Sequence, residues 1–522
     1  MDLKGTAAGS GQARCFAPRL TFTHAATLKF LEEALGSRWA SIAYHLPRPP
    51  LEACVRVNTL KTTREEVMAR LREELPGFEV LPDPCLKLAV FIRGSGARRE
   101  APIVYDDSVL QGREVIVGMM AGQSMLKGAE LYAPGILAST RGLQPGDRVA
   151  VSIGLPIDPG KNQYGITRQA MLEPHTPLDD ERFPHRGSLT IGVGEILLDR
   201  AQVTKPGGGG MAMVMREKLY DLPSLPNEFM AGLIMHQAFP SLLAACVLAP
   251  APGSTVLDMC ASPGGKTTAM AQLMENRGRI YAIDRTNKKV MKIEELARTM
   301  GIDIIVALKG DACSLFNSKK STDNGLAFAA NVEVKKSEKT LLHEERRRLN
   351  RIRHGHAPVD EQKRASVASG GFAAATFDHI LLDAACSALG VRPRFLVDST
   401  VDDLVKAAQY SRAMLVQAVH LLKPGGTLVF STCTISPLEN EGNVRFVLDT
   451  FPCMKLVEAG PGLHHGRMGL TGSITATEGK APIQLLSEEE AKLVQRFDPD
   501  DGERSVLGFF ICKMQKEGGQ AM

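Results

Sequence analysis

The sequence predicts an α/β fold: a doubly wound, mostly parallel sheet in the second half of the chain, preceded by a helical segment and a small β-barrel. Three observations carry this expectation. Five β-type runs, TVLDM (255–259), RIYAID (279–284), DIIVALKGDA (303–312), DHILLDAA (378–385) and GTLVFSTC (426–433), alternate with helical patterns, which is how a parallel sheet covered on both faces reads. A glycine-rich turn, CASPGGKTT (260–268), follows the first run and opens a helix. From 112 to about 203 the texture changes to short β-type runs punctuated by glycines, the pattern of a small barrel.

Taken in order, residues 1–24 are expected to be an unstructured N-terminus. They are Gly/Ala-rich without the apolar core of a secretory leader, and Asp2 spoils the acid-poor pattern of an organelle transit peptide. Residues 25–110 form an N-terminal segment. LKFLEEAL (28–35) and TREEVMARLREEL (63–75) carry helical spacing, and VRVNTLK (55–61) reads as a short strand and turn. Residues 111–206 hold the barrel runs EVIVGMMAG, KGAELYAPGI, GDRVAVSIG and SLTIGVGEILL, and KPGGGG (205–210) reads as a flexible linker. Residues 207–516 are the α/β domain. Within it, 317–376 is polar, with 12 Lys/Arg against 7 Asp/Glu. That composition suits a disordered surface insertion, with an auxiliary contact to RNA backbone as the alternative.

At 522 residues the chain is too long for one core, so several domains are expected. The net charge of +4 supplies no strong basic field, so any nucleic-acid contact must use local patches. No apolar run approaches the ~18 residues that span a bilayer, so no membrane association is expected. The 10 cysteines contain no CxxC pair, which suggests neither a zinc site nor a disulfide framework; no metal is expected. Reduced thiols point to a cytoplasmic protein, with nucleus or organelle as alternatives.

The glycine turn carries the first chemistry. Gly264 and Gly265 let the backbone approach a ligand closely, and the helix behind them offers free N–H groups. A nucleotide-hydrolysing P-loop would need glycine where Cys260 stands. Asp284, ending the second run, suits ribose hydroxyls, and Asp311, after the third, suits an adenine amino group. Solvated strand-end carboxylates are the plain alternative, and the pattern alone leaves NAD and S-adenosylmethionine in competition. Asp383 and Cys386 lie in LLDAACS (381–387), and Cys433 in FSTCTIS (430–436), each near the carboxyl end of a strand. One cysteine there is usually structural; two beside an aspartate and a glycine turn suggest a site.

Together DMCASPGGKTT, DRTNKKV, LLDAACSALGVRPR, LLKPGGTLVFSTCTISPLENE, RFDP and LGFF resemble the NSUN (Sun-domain) family of RNA cytosine-5 methyltransferases, whose catalytic domain is a Rossmann-like class I methyltransferase fold. GQSMLKGAELYAPGIL (122–137) resembles the signature of the PUA domain, a small RNA-binding barrel, which points to the PUA-containing, member-six branch. The resemblance implies S-adenosylmethionine as cofactor and RNA, specifically the acceptor end of tRNA, as partner. It implies Cys433 as the nucleophile, Cys386 as the residue assisting product release, Asp383 near the base, and Lys266 contacting cofactor or base. The reverse assignment of the cysteines, as in DNA cytosine-5 methyltransferases, is the alternative. The implied cofactor set is Cys260, Ala261, Ser262, Pro263, Gly264, Gly265, Lys266, Asp284, Lys289, Asp311 and Asp383, and Lys127 and Tyr132 are the implied RNA contacts. Two positions depart from the family: Ser262 replaces alanine, and Ala385 replaces the proline before the first cysteine. A catalytically silent RNA-binding protein is therefore the competing functional class.

Overall fold

The computed structural model describes residues 16–94, 110–158, 163–178, 180–183, 186–204, 209–223, 225, 229–317, 371–460, 462–463, 465–476, 481–499 and 506–518. Most of the basic insertion, 318–370, lies outside the described residues. Its two ends meet: Phe316 bridges Phe372, and the Asn317 N–H donates to the Phe372 carbonyl at 3.0 Å.

The α/β domain is built on an eight-stranded sheet. Its spatial order is Ile305–Lys309, Arg279–Asp284, Thr255–Asp258, Phe377–Asp383, Leu422–Thr432, Phe509–Lys516, Met454–Val457, with Gln495–Phe497 pairing to Phe509–Lys516. The first five are parallel, as the sequence predicts. Three antiparallel strands, not anticipated, finish the edge. They are short or follow loops, so no alternating strand–helix rhythm announces them. Thr255–Asp258 pairs with both Arg279–Asp284 and Phe377–Asp383, so the strand order reverses there. Ligand crevices in such sheets open at that reversal, above the carboxyl ends. Buried aliphatics fill both faces: Leu257, Ile283, Ile380, Leu382 and Phe430 on one, Val256, Ile280, Leu381, Val429 and Ile511 on the other.

The N-terminal part divides differently from the expectation. Phe16 bridges Leu189, and Thr21–Phe22 pairs in parallel with Leu396–Val397, so 16–24 of the N-terminus expected to be disordered are structured, while 1–15 lie outside the described residues. The helices Ala25–Leu35 and Trp39–His45 pack on the catalytic domain: Phe30, Leu31, Leu35 and Ile42 share a cluster with Leu389, Leu404, Ile435 and Leu438, and Trp39 lies against it. Residues 52–94 and Ile234–His236 form a separate antiparallel sheet, ordered Ile234–His236, Glu52–Val57, Ala89–Gly94, Phe78–Pro82. The helix Arg64–Glu74 covers it, started by a Thr63/Glu66 capping box.

The second unit is a seven-stranded mixed sheet ordered Leu131–Tyr132, Met211–Lys218, Thr190–Ile196, Arg148–Gly154, Glu114–Gly118, Ile136–Thr140, Ala170–Leu172. It extends past the expected boundary at 206, because Met211–Lys218 pairs antiparallel with Thr190–Ile196. The segment read as an interdomain linker, 205–210, therefore precedes a strand of this same sheet, and its residues 205–208 lie outside the described residues. EVIVGMMAG is only partly a strand: the helix Met119–Met125 begins straight after Gly118. Phe395, fully buried, leaves the catalytic domain to join this unit's core of Val115, Val151, Ile153, Ile191 and Met213. Among the described residues no helix is long and apolar enough to cross a membrane.

Candidate active site

Asp383, Cys386 and Cys433 stand at or just beyond the carboxyl ends of two parallel strands, and Lys266 opens the helix that follows a third. After Thr255–Asp258 the chain turns through 259–264 and enters the helix Gly265–Leu273. The turn needs Gly264, which sits at φ 107°, a region costly for any residue with a Cβ. The Ala261 N–H donates to the Ile283 carbonyl at 2.9 Å, and the Ser262 N–H to Asp284 Oδ2 at 3.1 Å. Asp284 therefore holds the turn in shape, while its Oδ1 accepts from the Arg285 N–H at 2.7 Å and lies 3.0 Å from Lys289 Nζ. Asp311 opens a short 3-10 turn and accepts the Cys313 N–H at 3.1 Å; the residue is otherwise exposed. Cys260 instead turns into the core, 3.7 Å from Met414 Sδ, and burial pushes its thiol up to about 12. That makes it a packing residue rather than a nucleophile. The exposed Ala385 offers an N–H toward the Cys260 sulfur, a donor that the proline expected there from the resemblance would lack.

Lys266, in the first turn of that helix, reaches Asp383 Oδ2 at 2.6 Å, and Ser431 donates to Asp383 Oδ1 at 2.7 Å. Beyond them Cys386 Sγ and Cys433 Sγ stand 3.5 Å apart. The two cysteine loops are joined by backbone: the Gly390 N–H donates to the Cys433 carbonyl at 3.0 Å, and the Gly508 N–H to the Gly390 carbonyl at 2.8 Å. A Cβ on Gly390 would lie 2.1 Å from the Gly508 oxygen, so only glycine fits. The thiols are unequal. Hydrogen bonding with Cys386 holds Cys433 below the ordinary thiol value, and the nearby Lys266 cation acts in the same direction. Cys386 is pushed well up by hydrogen bonding to Cys433, by burial and by the Glu439 charge.

Several supporting residues escaped the sequence reading. Glu439, within SPLENE, accepts from the Ser387 hydroxyl at 2.6 Å and the Ser387 N–H at 2.8 Å, clamping the Cys386 loop to the Cys433 loop. Arg394 donates to the Ala388 carbonyl at 2.5 Å and bears its positive charge on both thiols. Arg496, of the RFDP motif, is fully buried. It pairs with Glu441 at 3.0 and 3.1 Å and with Asp498 at 3.1 Å, and its Nη2 holds the Ile435 carbonyl at 2.5 Å, two residues past Cys433. Asp258 is fully buried beneath the turn, accepts from the Thr267 hydroxyl at 2.7 Å, and is pushed up by burial to about 7.

The N-terminal sheet also reaches the turn. Arg56 donates to the Gly265 carbonyl, to Thr268 Oγ1 at 2.7 Å and to Gln237 Oε1 at 3.0 Å, and burial lowers it to about 9. Asn58 and Gln272 extend this buried network across the same boundary, with Gln272 Nε2 donating to Asn58 Oδ1 at 2.8 Å. Such partners lie some two hundred positions apart in sequence, so only their residue types were visible there. Lys127 and Tyr132 belong to the seven-stranded unit, Tyr132 in its outermost strand, and both are exposed.

Comparison with known proteins agrees with this architecture. The family model described as 16S rRNA methyltransferase RsmB/F matches residues 245–326 and 321–472. The chain is 35% identical to the rRNA (cytosine-C(5))-methyltransferase NOP2C of Arabidopsis thaliana, over 96% of this chain and 91% of that protein. It is 31% identical to the tRNA (cytosine(72)-C(5))-methyltransferase NSUN6 of Homo sapiens, over 90% of this chain and 86% of that one. The crystal structure of NSun6 from Pyrococcus horikoshii with SFG, an S-adenosylmethionine analogue, superposes with a TM-score of 0.65 at 27% identity, covering 95% of this chain and 99% of that one. With paired cysteines above the strand reversal and identity of this order along nearly its whole length, the chain belongs to the RsmB/F (Sun-domain, NSUN) family of RNA cytosine-5 methyltransferases.

Proposed function

We propose that the chain forms 5-methylcytosine at the acceptor end of tRNA, with S-adenosylmethionine as methyl donor, Cys433 as nucleophile and Cys386 assisting release. The observation that carries this reading is the 3.5 Å thiol pair beside the Lys266–Asp383 ion pair. The donor set suits an adenosine cofactor: a glycine turn with a helix behind it, an acid ending the second strand and an exposed acid after the third. Residues 260–266 with Asp284, Lys289, Asp311 and Asp383 would hold it. When bound, it supplies an electrophilic methyl group on a positive sulfonium, so the reaction calls for no metal.

The protein's own work is on the base. Carbon 5 of cytosine is a weak nucleophile, and addition of the Cys433 thiolate to carbon 6 turns the ring into an enamine with electron density at carbon 5. Asp383 accepts from the exocyclic amino group and from N3 in its protonated form, which makes the ring more electrophilic, with Lys266 fixing the carboxylate. Once carbon 5 carries its methyl group, a base such as water takes the carbon 5 proton, and the freed electron pair re-forms the carbon 5–carbon 6 double bond and expels the Cys433 thiolate. Cys386, within hydrogen-bonding distance of Cys433 Sγ and held protonated by its surroundings, serves that elimination. The base must leave its stack to reach a site of this depth. The seven-stranded unit, read as the PUA domain, would hold adjoining RNA through Lys127 and Tyr132, and the N-terminal segment would add to that surface. A cytoplasmic location suits the reduced thiols.

Two experiments test this. Incubating the Cys386→Ala variant with cofactor and tRNA should accumulate a covalent protein–RNA adduct, whereas Cys433→Ala should form none; the reverse pattern would exchange the roles. Bisulfite sequencing of tRNA and rRNA pools should show protected cytosines in tRNA. Protection confined to rRNA, the substrate named for the Arabidopsis relative, would overturn the tRNA assignment. No protection in either pool, together with no adduct, would leave a silent RNA-binding protein.

A further inference from the structure

A second group of metal-philic side chains lies away from the catalytic cysteines. Asp83, Cys85 and His465 each offer one ligand atom, and these atoms all lie within 4.8 Å of one another. They come from two parts of the molecule: Asp83 and Cys85 follow the strand Phe78–Pro82 of the N-terminal sheet, whereas His465 lies between Met454–Val457 and Gln495–Phe497 of the catalytic domain. We infer that these residues form a structural site for a zinc-type divalent cation that staples the N-terminal sheet to the catalytic domain.

The donors suit such an ion. A thiol, an imidazole and a carboxylate are the borderline-soft set that zinc takes, whereas magnesium and calcium favour oxygen alone. Tetrahedral binding at about 2.0 Å to nitrogen and oxygen and about 2.3 Å to sulfur puts ligand atoms roughly 3.3–3.5 Å apart. His465 Nε2 and Asp83 Oδ1 are 3.9 Å apart and all three ligand atoms lie within 4.8 Å, so closure draws His465 and Cys85 in by about 1 Å toward the fixed Asp83. Asp83 is fully buried while Cys85 is exposed, which leaves the open coordination position toward water.

Surrounding contacts hold the ligands in place, as second partners do at metal sites. Asp83 Oδ1 accepts the N–H groups of Cys85 at 2.9 Å and Leu86 at 2.7 Å, which fixes the carboxylate. The His465 ring stands edge-on to Phe239 at 5.0 Å, and Phe239 in turn meets Phe91 of the N-terminal sheet at 5.2 Å. The His465 and Gly466 N–H groups both donate to Gln495 Oε1 at 3.1 Å, so that loop is anchored too. A cation here would neutralise the buried carboxylate and the thiolate together. The same boundary carries Arg56 and Asn58, so the staple would reinforce the contact through which the N-terminal sheet supports the glycine turn.

Full-length protein, stripped with chelator and dialysed, is titrated with Co²⁺ and then Zn²⁺. The expected result is one cobalt per chain with a thiolate-to-metal charge-transfer band, displaced by zinc. The band should be lost in Cys85→Ser and uptake lost in both His465→Ala and His465→Gln, with the circular dichroism of each variant unchanged. The Cys386→Ala/Cys433→Ala double variant should retain both. Zinc should raise the unfolding temperature of the wild type and leave Cys85→Ser unmoved. Binding that survives Cys85→Ser, or that vanishes only with the catalytic pair, overturns the inference. So does an absence of uptake, which would leave a His465–Asp83 polar contact only.

Discussion

Asp258→Asn gives the sharpest quantitative test of how the turn is built. The Asp258 carboxyl is pushed from 3.8 to about 7 because burial penalises its charged form, and only part of that is recovered from the Thr267 hydroxyl. A folded value above the unfolded one means that the native state holds its proton more tightly. The associated stability is complete below pH ~4 and is lost as pH rises through about 7. Between pH 6 and 8 the unfolded carboxyl is already ionised, so the native state loses about 1.4 kcal/mol over that window. An amide cannot ionise, and its oxygen can still accept from Thr267. Urea unfolding followed by circular dichroism at pH 6, 7 and 8 measures both proteins, and subtracting the variant cancels every other titrating group. The wild type should lose about 1.4 kcal/mol more than Asp258→Asn. Parallel pH profiles would refute the assignment of a buried, neutral Asp258 and with it the account of the turn.

Other substitutions probe the supporting contacts. Arg496→Met strands Glu441 as a buried charge and leaves Asp498 only its pair with Arg38, and should cost about 3–5 kcal/mol, read as a lower unfolding midpoint and a fall in kcat through the freed Ile435 carbonyl. Arg56→Lys keeps the charge but not the span between Gly265, Thr268 and Gln237. Cofactor Kd measured by calorimetry should rise roughly tenfold, for about 1–2 kcal/mol of lost positioning, with KM for RNA little changed. Ala388, at φ 55°, sits between the two cysteine loops in a conformation suited to glycine. Ala388→Gly should raise stability by about 1 kcal/mol in denaturant titration.

The catalytic half was legible where chemistry and local pattern coincide. CASPGGKTT announces a strand, a glycine turn and a helix within nine residues, and Cys386 and Cys433 each close a recognisable β run. What escaped depends on distant partners. Nothing local marks Arg56 as the residue that touches Gly265, because its strand reads like any other alternating run. Met211–Lys218 was hidden by the glycines before it, which look like a boundary although the strand after them pairs back onto Thr190–Ile196. Phe395 looks like one more apolar residue after a cysteine box, and only the tertiary fold shows it leaving its own domain. The cluster of Asp83, Cys85 and His465 escaped for the same reason: metal spacing is sought within a motif, and this one spans nearly four hundred positions.

Trp39 is the chain's one tryptophan. Its ring lies 5.9 Å from that of Phe22 and against the cluster containing Leu389, Ile435 and Leu438, the residues that flank both cysteine boxes. All indole emission from this protein therefore originates a few side chains from the catalytic loops. RNA docking, cofactor entry or release of methylated product that shifts those loops would register as a change in a single, unlabelled optical signal. Stopped-flow fluorescence on the native chain can thus follow events at its cysteine loops without a dye, a tag or an engineered probe.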